Sequence, residues 1–256
     1  MTSVRYVAIG DSFTEGVGDE RPDGTPRGWA DLAAEGWASS RGEAIDYANL
    51  AIRGKLAWPV VDEQLEPALA LRPTHLSFNG GGNDMLRPGR SIDRVVDAFV
   101  HVAARCAAEG VVPILLAGAD PSGGLPLSRV IRRRGDELTR AVTARLRGRT
   151  GIVWAINWTD ASLREPAFWS PDRLHMNVRG HHRVAARVLE AVGEQAPPNW
   201  WSLPEGAGAH LDNRDYYRAH VVPWIRRRLT GTSSGDGRSA KIPDWLRVPP
   251  HLPETA

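Results

Sequence analysis

Cysteine is almost missing from this chain: Cys106 is the only one in 256 residues. An internal disulfide is impossible and a cysteine-based metal site is not expected. Cys106 falls in an apolar helical pattern, where a buried, inert thiol is the expectation. Lysine is nearly absent too, with Lys55 and Lys241 alone, so arginine carries the basic charge. Lys+Arg 32 against Asp+Glu 30 leaves a net charge of only +2. No overall field gathers nucleic acid. No apolar run approaches the roughly 18 residues of a spanning helix, which argues against membrane insertion. Met1 to Ser3 lead straight into an apolar run without a signal-peptide pattern, so a cytoplasmic location is expected. What remains, 42% hydrophobic and 24% charged residues, suits one sizeable globular core. No internal repeat is visible, and the oligomeric state is not legible.

The apolar pattern alternates between two periods. Short apolar runs predict strands at 4–9, 44–50, 74–78, 111–117 and 151–156. Helical spacing predicts helices at 29–41, 60–71, 92–109, 128–147 and 178–192. Pro73 stops the second helix, and Gly110 closes the third in the manner of a left-handed cap. Five strands alternating with helices imply a parallel sheet covered on both faces. Past Gly193 the texture changes. Residues 196–201 read as a boundary, 213–229 as a helix, 231–237 as a flexible Gly/Ser linker, and 243–253 as a Pro/Trp-rich end. The expected organisation is therefore a domain at 1–193 and an extension at 194–256, the latter draped over the core or partly loose.

Polar residues collect where the strands end. The first strand stops at Gly10-Asp11-Ser12, the second is followed by Gly54, and the third ends at Asn83. The loop after the fifth holds Asp172-Arg173-Leu174-His175. In a parallel sheet these turns share one edge, where ligands of open α/β sheets bind. A serine hydroxyl needs an adjacent base to become a nucleophile. His175 can be that base, and Asp172, three residues earlier, can orient it. The N–H groups of Ser12 and Gly54 and the amide of Asn83 are candidate donors to an oxyanion. Against this stands a simpler reading, since Gly, Asp and Ser also favour plain turns.

Taken together, the four blocks resemble the SGNH (GDSL-type) hydrolase family. Gly10-Asp11-Ser12-Phe13 matches its first block, with Phe13 where Leu is typical. Residues 49–54, ending at Gly54, match the second, Gly81-Gly82-Asn83-Asp84 the third, and Asp172 to His175 the Asp-x-x-His block. The resemblance covers about the first 193 residues. It implies a three-layer α/β/α, flavodoxin-like sandwich with a central five-stranded parallel sheet. It also implies hydrolysis of a small-molecule carboxylic ester through an acyl-serine, with no cofactor and no metal. Carried over residue by residue, Ser12 is the nucleophile, His175 the base and Asp172 its orienter, with Ser12, Gly54 and Asn83 forming the oxyanion hole. Thr14 stands where a Gly-x-Ser-x-Gly elbow would need its second glycine, which argues against the α/β-hydrolase arrangement.

Other residues invite functional readings that the sequence does not require. Asp84 is expected to cap the next turn, Asp11 to brace its loop, and Asp120 is an alternative orienter. His181 and His182 tempt a metal reading but fall within the last helix, where packing is expected. Arg132-Arg133-Arg134 reads as a solvated helix face, with an anionic contact as the minor alternative. Trp29, Trp58, Trp158 and Trp169 lie near the active-edge loops, as pocket lining or as caps on the core. Acyltransferase, carbohydrate deacetylase, thioesterase and lysophospholipase activities stay open, as does a non-catalytic flavodoxin-like binding module.

Overall fold

The computed structural model describes residues 3–87, 89–202, 215, 218 and 233–251. Five parallel strands form the frame: β1 (Arg5–Ile9), β2 (Ile45–Asn49), β3 (His75–Asn79), β4 (Val112–Ala117) and β5 (Val153–Ile156). Their order across the sheet is β5-β4-β3-β1-β2. The chain steps from β1 to β2 on one side and then crosses to β3 on the other. The crevice at the carboxyl ends of β1 and β3 is thus the topological switch point.

Alternation along β1 divides the interior in two. Tyr6 and Ala8 face one core, packed with Trp29 and Trp37 of α2 (Gly28–Arg41) and Val184 and Leu189 of α8 (Val178–Ala191). Val7 and Ile9 face the other core, against α3 (Ala57–Val60), α4 (Glu66–Ala70), α6 (Ile92–Ala108) and α7 (Ser128–Arg145). A five-residue π turn, Val61–Leu65, joins α3 to α4. Helix α6 forms where the sequence predicts it: the Ser91 side chain caps Arg94 N, and Val95, Val96, Phe99, Val102, Ala103 and Cys106 are buried. Phe99 meets Phe78 of β3 edge-on at 4.7 Å between centroids. Burying such a ring contributes roughly 1.5–3 kcal/mol. Cys106 is free and buried, and its surroundings push the thiol up to about 12.

The sheet has six strands rather than the expected five. β6 (Ile242–Val248) pairs antiparallel with β2 at the edge, in the register Ile45↔Val248 and Tyr47↔Leu246. Pro243 hid it from the pattern, but an edge strand accommodates a proline because its outer N–H side is not needed. Lys241 anchors the strand: its Nζ lies 2.7 Å from Asp31 Oδ1 and donates to the carbonyl oxygens of Pro26 and Arg27, at 3.0 and 2.5 Å. Of the expected linker, 233–237 is a hydrogen-bonded turn in which Ser233 N donates to Asp236. The expected helix at 213–229 lies outside the described residues, apart from Asp215 and Arg218.

Candidate active site

Ser12 is the first residue of a short helix, α1 (Ser12–Glu15), directly after β1 at the switch point. Asp11 caps that helix by accepting from Phe13 N at 3.1 Å. His175 and Asp172 come from the loop between β5 and α8. That loop folds on itself: Asp172 Oδ1 accepts from Leu174 N at 3.0 Å and His175 N at 2.9 Å. Arg173 bends there at φ 58, in the left-handed region. This leaves Asp172 Oδ2 facing His175 Nδ1 at 2.5 Å. The opposite ring nitrogen, Nε2, lies 3.0 Å from Ser12 Oγ. A carboxylate at Nδ1 holds the proton there, so Nε2 is free to accept from the serine hydroxyl. Burial pushes the Asp172 carboxyl upward, but the hydrogen bond and charge of His175 outweigh it and bring the group down to about 2.

Opposite the relay lie the candidate donors. Among the described residues the backbone N–H groups of Ser12 and Gly54 have no partner. Gly54 has φ +78, and a Cβ there would sit 2.2 Å from Ser233 Oγ, so only glycine fits. The Asn83 amide reaches Asp11 Oδ2 at 3.2 Å and Lys55 O at 3.0 Å, which sets it beside the Gly54 loop. Burial pushes the Asp11 carboxyl up to about 6, against the opposing pull of Phe13 N–H, His175 and Asn83.

Four side chains to which the sequence pattern gave no such part hold this arrangement. Glu15, buried on the same short helix as Ser12, accepts from Arg53 N at 2.7 Å and grips the Arg53 guanidinium at 2.6–3.0 Å. The block-one turn and the Gly54 turn are thereby tied together. Gln64, in the π turn, clamps Gly10 from both sides: its Oε1 accepts from Gly10 N at 2.8 Å and its Nε2 donates to Gly10 O at 3.0 Å. Asp84 caps α3 through Ala57 N at 3.0 Å, not the turn that follows it. A signal for the first pair was present: one acid and one arginine, each on a turn that the parallel sheet brings to the same edge.

The remaining candidates have other partners. Asp120 bonds Ser122 N at 3.0 Å and faces Arg164 at 3.1 Å, away from His175 Nδ1. His181 accepts from Trp29 N at Nδ1, 3.1 Å away, and donates from Nε2 to Val17 O at 3.2 Å. Burial draws it down to about 4, so it is a neutral packing residue. His182 meets Trp200 edge-on. Arg132 and Arg133 are exposed, while Arg134 reaches Arg90 O at 2.8 Å. Trp158 and Trp169 line the cavity beside Ser12, whereas Trp29 is fully buried in the core. Trp58 donates to Arg94 O on the far side of α3. No described helix is long and apolar enough to cross a membrane.

The GDSL-like Lipase/Acylhydrolase family matches residues 8–183, a span that includes Ser12, Gly54, Asn83, Asp172 and His175. No curated protein sequence gives a significant match. Among solved structures the chain is similar to the lipase Lip_vut3 from a goat rumen metagenome, at 16% identity and a TM-score of 0.63. That match covers 75% of this chain and 99% of the other. It is also similar to a catalytic mutant of Axe2, an acetylxylan esterase from Geobacillus stearothermophilus (20% identity, TM-score 0.63, covering 80% and 99%). TesA is similar at 21% identity with a TM-score of 0.59, covering 73% and 97%. At such identities the likeness is one of fold. By the family match, which spans well over half its length, the chain belongs to the GDSL-like lipase/acylhydrolase family and is a carboxylic ester hydrolase.

Proposed function

We propose that the protein cleaves esters of short to moderate acyl chains through an acyl-serine intermediate. Ser12 is the nucleophile, His175 the base and Asp172 its orienter. The observation that carries this reading is the unbroken chain Asp172–His175–Ser12, with links of 2.5 and 3.0 Å. His175 Nε2 takes the hydroxyl proton as Ser12 Oγ attacks the ester carbonyl. The oxyanion is met by the N–H groups of Ser12 and Gly54 and by Asn83 Nδ2, whose proton toward Asp11 is shared at 3.2 Å. His175 then gives its proton to the departing alcohol. A water, deprotonated by the same nitrogen, attacks the acyl-serine and releases the acid. Asp172 stays ionised throughout and stabilises the imidazolium.

In this reading residues 1–193 carry the chemistry, 194–256 are an extension to it, and the protein works in the cytoplasm. The activities for which two neighbours are named, a lipase and an acetylxylan esterase, support an ester as the substrate. The test is turnover of p-nitrophenyl acetate by wild type and Ser12→Ala. A loss of about three to six orders of magnitude is expected for a missing nucleophile. Equal turnover by the two proteins would overturn the assignment.

A further inference from the structure

Behind Ser12 and His175 the catalytic edge opens into an apolar cleft. Its walls include Phe99 of α6, Ile131, Leu138 and Val142 of α7, and Trp154 and Ile156 of β5. Helix α7 follows β4 and runs back along the sheet toward β5. Its successive inward residues therefore recede from the catalytic edge. From Ile131 to Val142 they cover about 16 Å at 1.5 Å per residue. The other wall agrees: Trp154 pairs in register with Leu115, two residues inside Ile156, so the cleft reaches the middle of the sheet.

The chemistry of the lining changes with depth. Asp11, Ser12, Asn83 and His175 stand at the mouth, and no charged side chain lines the cleft beyond them. Thr143, near its inner end, spends its hydroxyl on Thr139 O at 2.8 Å. Trp158 stands directly against α7 because residue 135 is glycine; a Cβ there would fall 1.9 Å from the indole. That indole and the aliphatic residues of α7 make a narrow apolar slot. Its polar side chains are Asn79, at the end of β3, and Thr139 and Thr143 of α7; a phosphate would find no charged partner in it, and beyond Asn79 a hydrocarbon chain meets mostly apolar surface.

We infer that this cleft takes the acyl chain of the ester and that the enzyme prefers straight chains of about eight to ten carbons to acetyl. The inference rests on the ester-hydrolase reading above and adds the side of the substrate that the cleft holds. An extended chain advances about 1.25 Å per carbon, from a 1.52 Å bond at a near-tetrahedral angle. The 16 Å slot is about 13 such steps long, so a chain of eight to ten carbons lies wholly within it once the carbonyl is placed at Ser12. Each methylene that enters is withdrawn from water, which raises kcat/KM by up to about fourfold when its burial is complete.

The test is kcat/KM for the p-nitrophenyl esters of acetate, butyrate, hexanoate, octanoate and decanoate, each below its solubility limit. Wild type and Ser12→Ala are compared with Thr139→Trp, whose indole starts about 12 Å beyond the level of Ile131 and leans back toward the helix N-terminus, narrowing the middle of the slot. Glu137→Trp, on the exposed face of the same helix, is the control. The expected result is a Ser12-dependent rise of at least tenfold from acetate to octanoate. Thr139→Trp should then lower the octanoate-to-acetate ratio by tenfold or more, and Glu137→Trp should leave that ratio unchanged. A flat or falling series with Ser12-dependent acetate turnover overturns the inference and leaves the hydrolase reading standing. A rise that Thr139→Trp does not alter assigns the gain to another surface and also overturns it. If no ester is turned over in a Ser12-dependent way, the hydrolase reading fails and the inference with it. Should Thr139→Trp not fold, as read by circular dichroism, the wild-type series decides alone.

Discussion

The two sides of the catalytic edge are built differently. On one side the relay is local and partly exposed: Asp172 and His175 share a single turn, with side chains 24% and 22% accessible. On the other, the proposed oxyanion side is assembled from three separate turns and secured by buried groups, among them Asp11, Glu15 and Asp84. Each side holds a carboxylate, and the two are displaced in opposite directions. Asp172 is drawn down to about 2 by its histidine, while burial lifts Asp11 to about 6. A group that must stay charged is given a hydrogen-bonding histidine as its partner. A group that only braces a loop is left desolvated. Four substitutions probe this contrast, beginning with the largest effect.

Asp172→Asn should cost about 10⁴ in kcat with little change in KM, because an amide no longer selects the reactive tautomer. Steady-state kinetics would show it, and a loss under tenfold would remove Asp172 from the relay. Asn83→Ala should cost about 10² to 10³ in kcat, the usual range for one oxyanion donor. A rise in KM alone would instead make Asn83 a ground-state contact.

The two carboxylates should separate in denaturant titrations run against pH. Asp172 has its folded value below the ordinary one near 3.8, so its stabilisation is present above pH 4 and fades as the pH falls toward 2. Wild type should thus lose about 2 kcal/mol relative to Asp172→Asn across that window. Asp11 has its folded value above the ordinary one, so the fold prefers it neutral, and that contribution is lost as the pH rises through 6. Asp11→Asn should therefore gain on wild type by about 3 kcal/mol between pH 4 and 7. Slopes of the same sign for both variants would break the contrast.

Glu15→Gln should have the smallest effect, about a tenfold loss in kcat with KM unchanged. It removes the charge that grips Arg53 but keeps an acceptor for Arg53 N–H. As a positioning residue Glu15 touches no reacting atom, so a change confined to KM would contradict that role.

The Asp172–His175–Ser12 hydrogen-bond chain was legible in the sequence because its parts are compact. Asp-x-x-His is one turn, Gly-Asp-Ser is another, and the parallel alternation of strands and helices brings them to one edge. The bracing was far less legible. Gln64 grips Gly10 from 54 residues away, and only a π turn directs it there. Glu15 and Arg53 are 38 residues apart, and nothing local pairs them. β6 escaped for a different reason. Its burial follows no two-residue alternation, since it borders the sheet: Val248 and Ile242 reach one core and Trp245 the other, while Lys241 and Arg247 tie it to Asp31 and Asp46. Pattern reasoning sees faces and turns; it does not see a single long side chain crossing between elements.

The central claim is that Ser12 becomes acylated by way of His175. Its most direct test is the intact mass of the protein after brief exposure to a fluorophosphonate, followed by peptide mapping. Wild type should carry one adduct on the peptide containing Ser12, and Ser12→Ala and His175→Ala should carry none. An adduct on another residue in wild type, or an equal yield in His175→Ala, would contradict the claim.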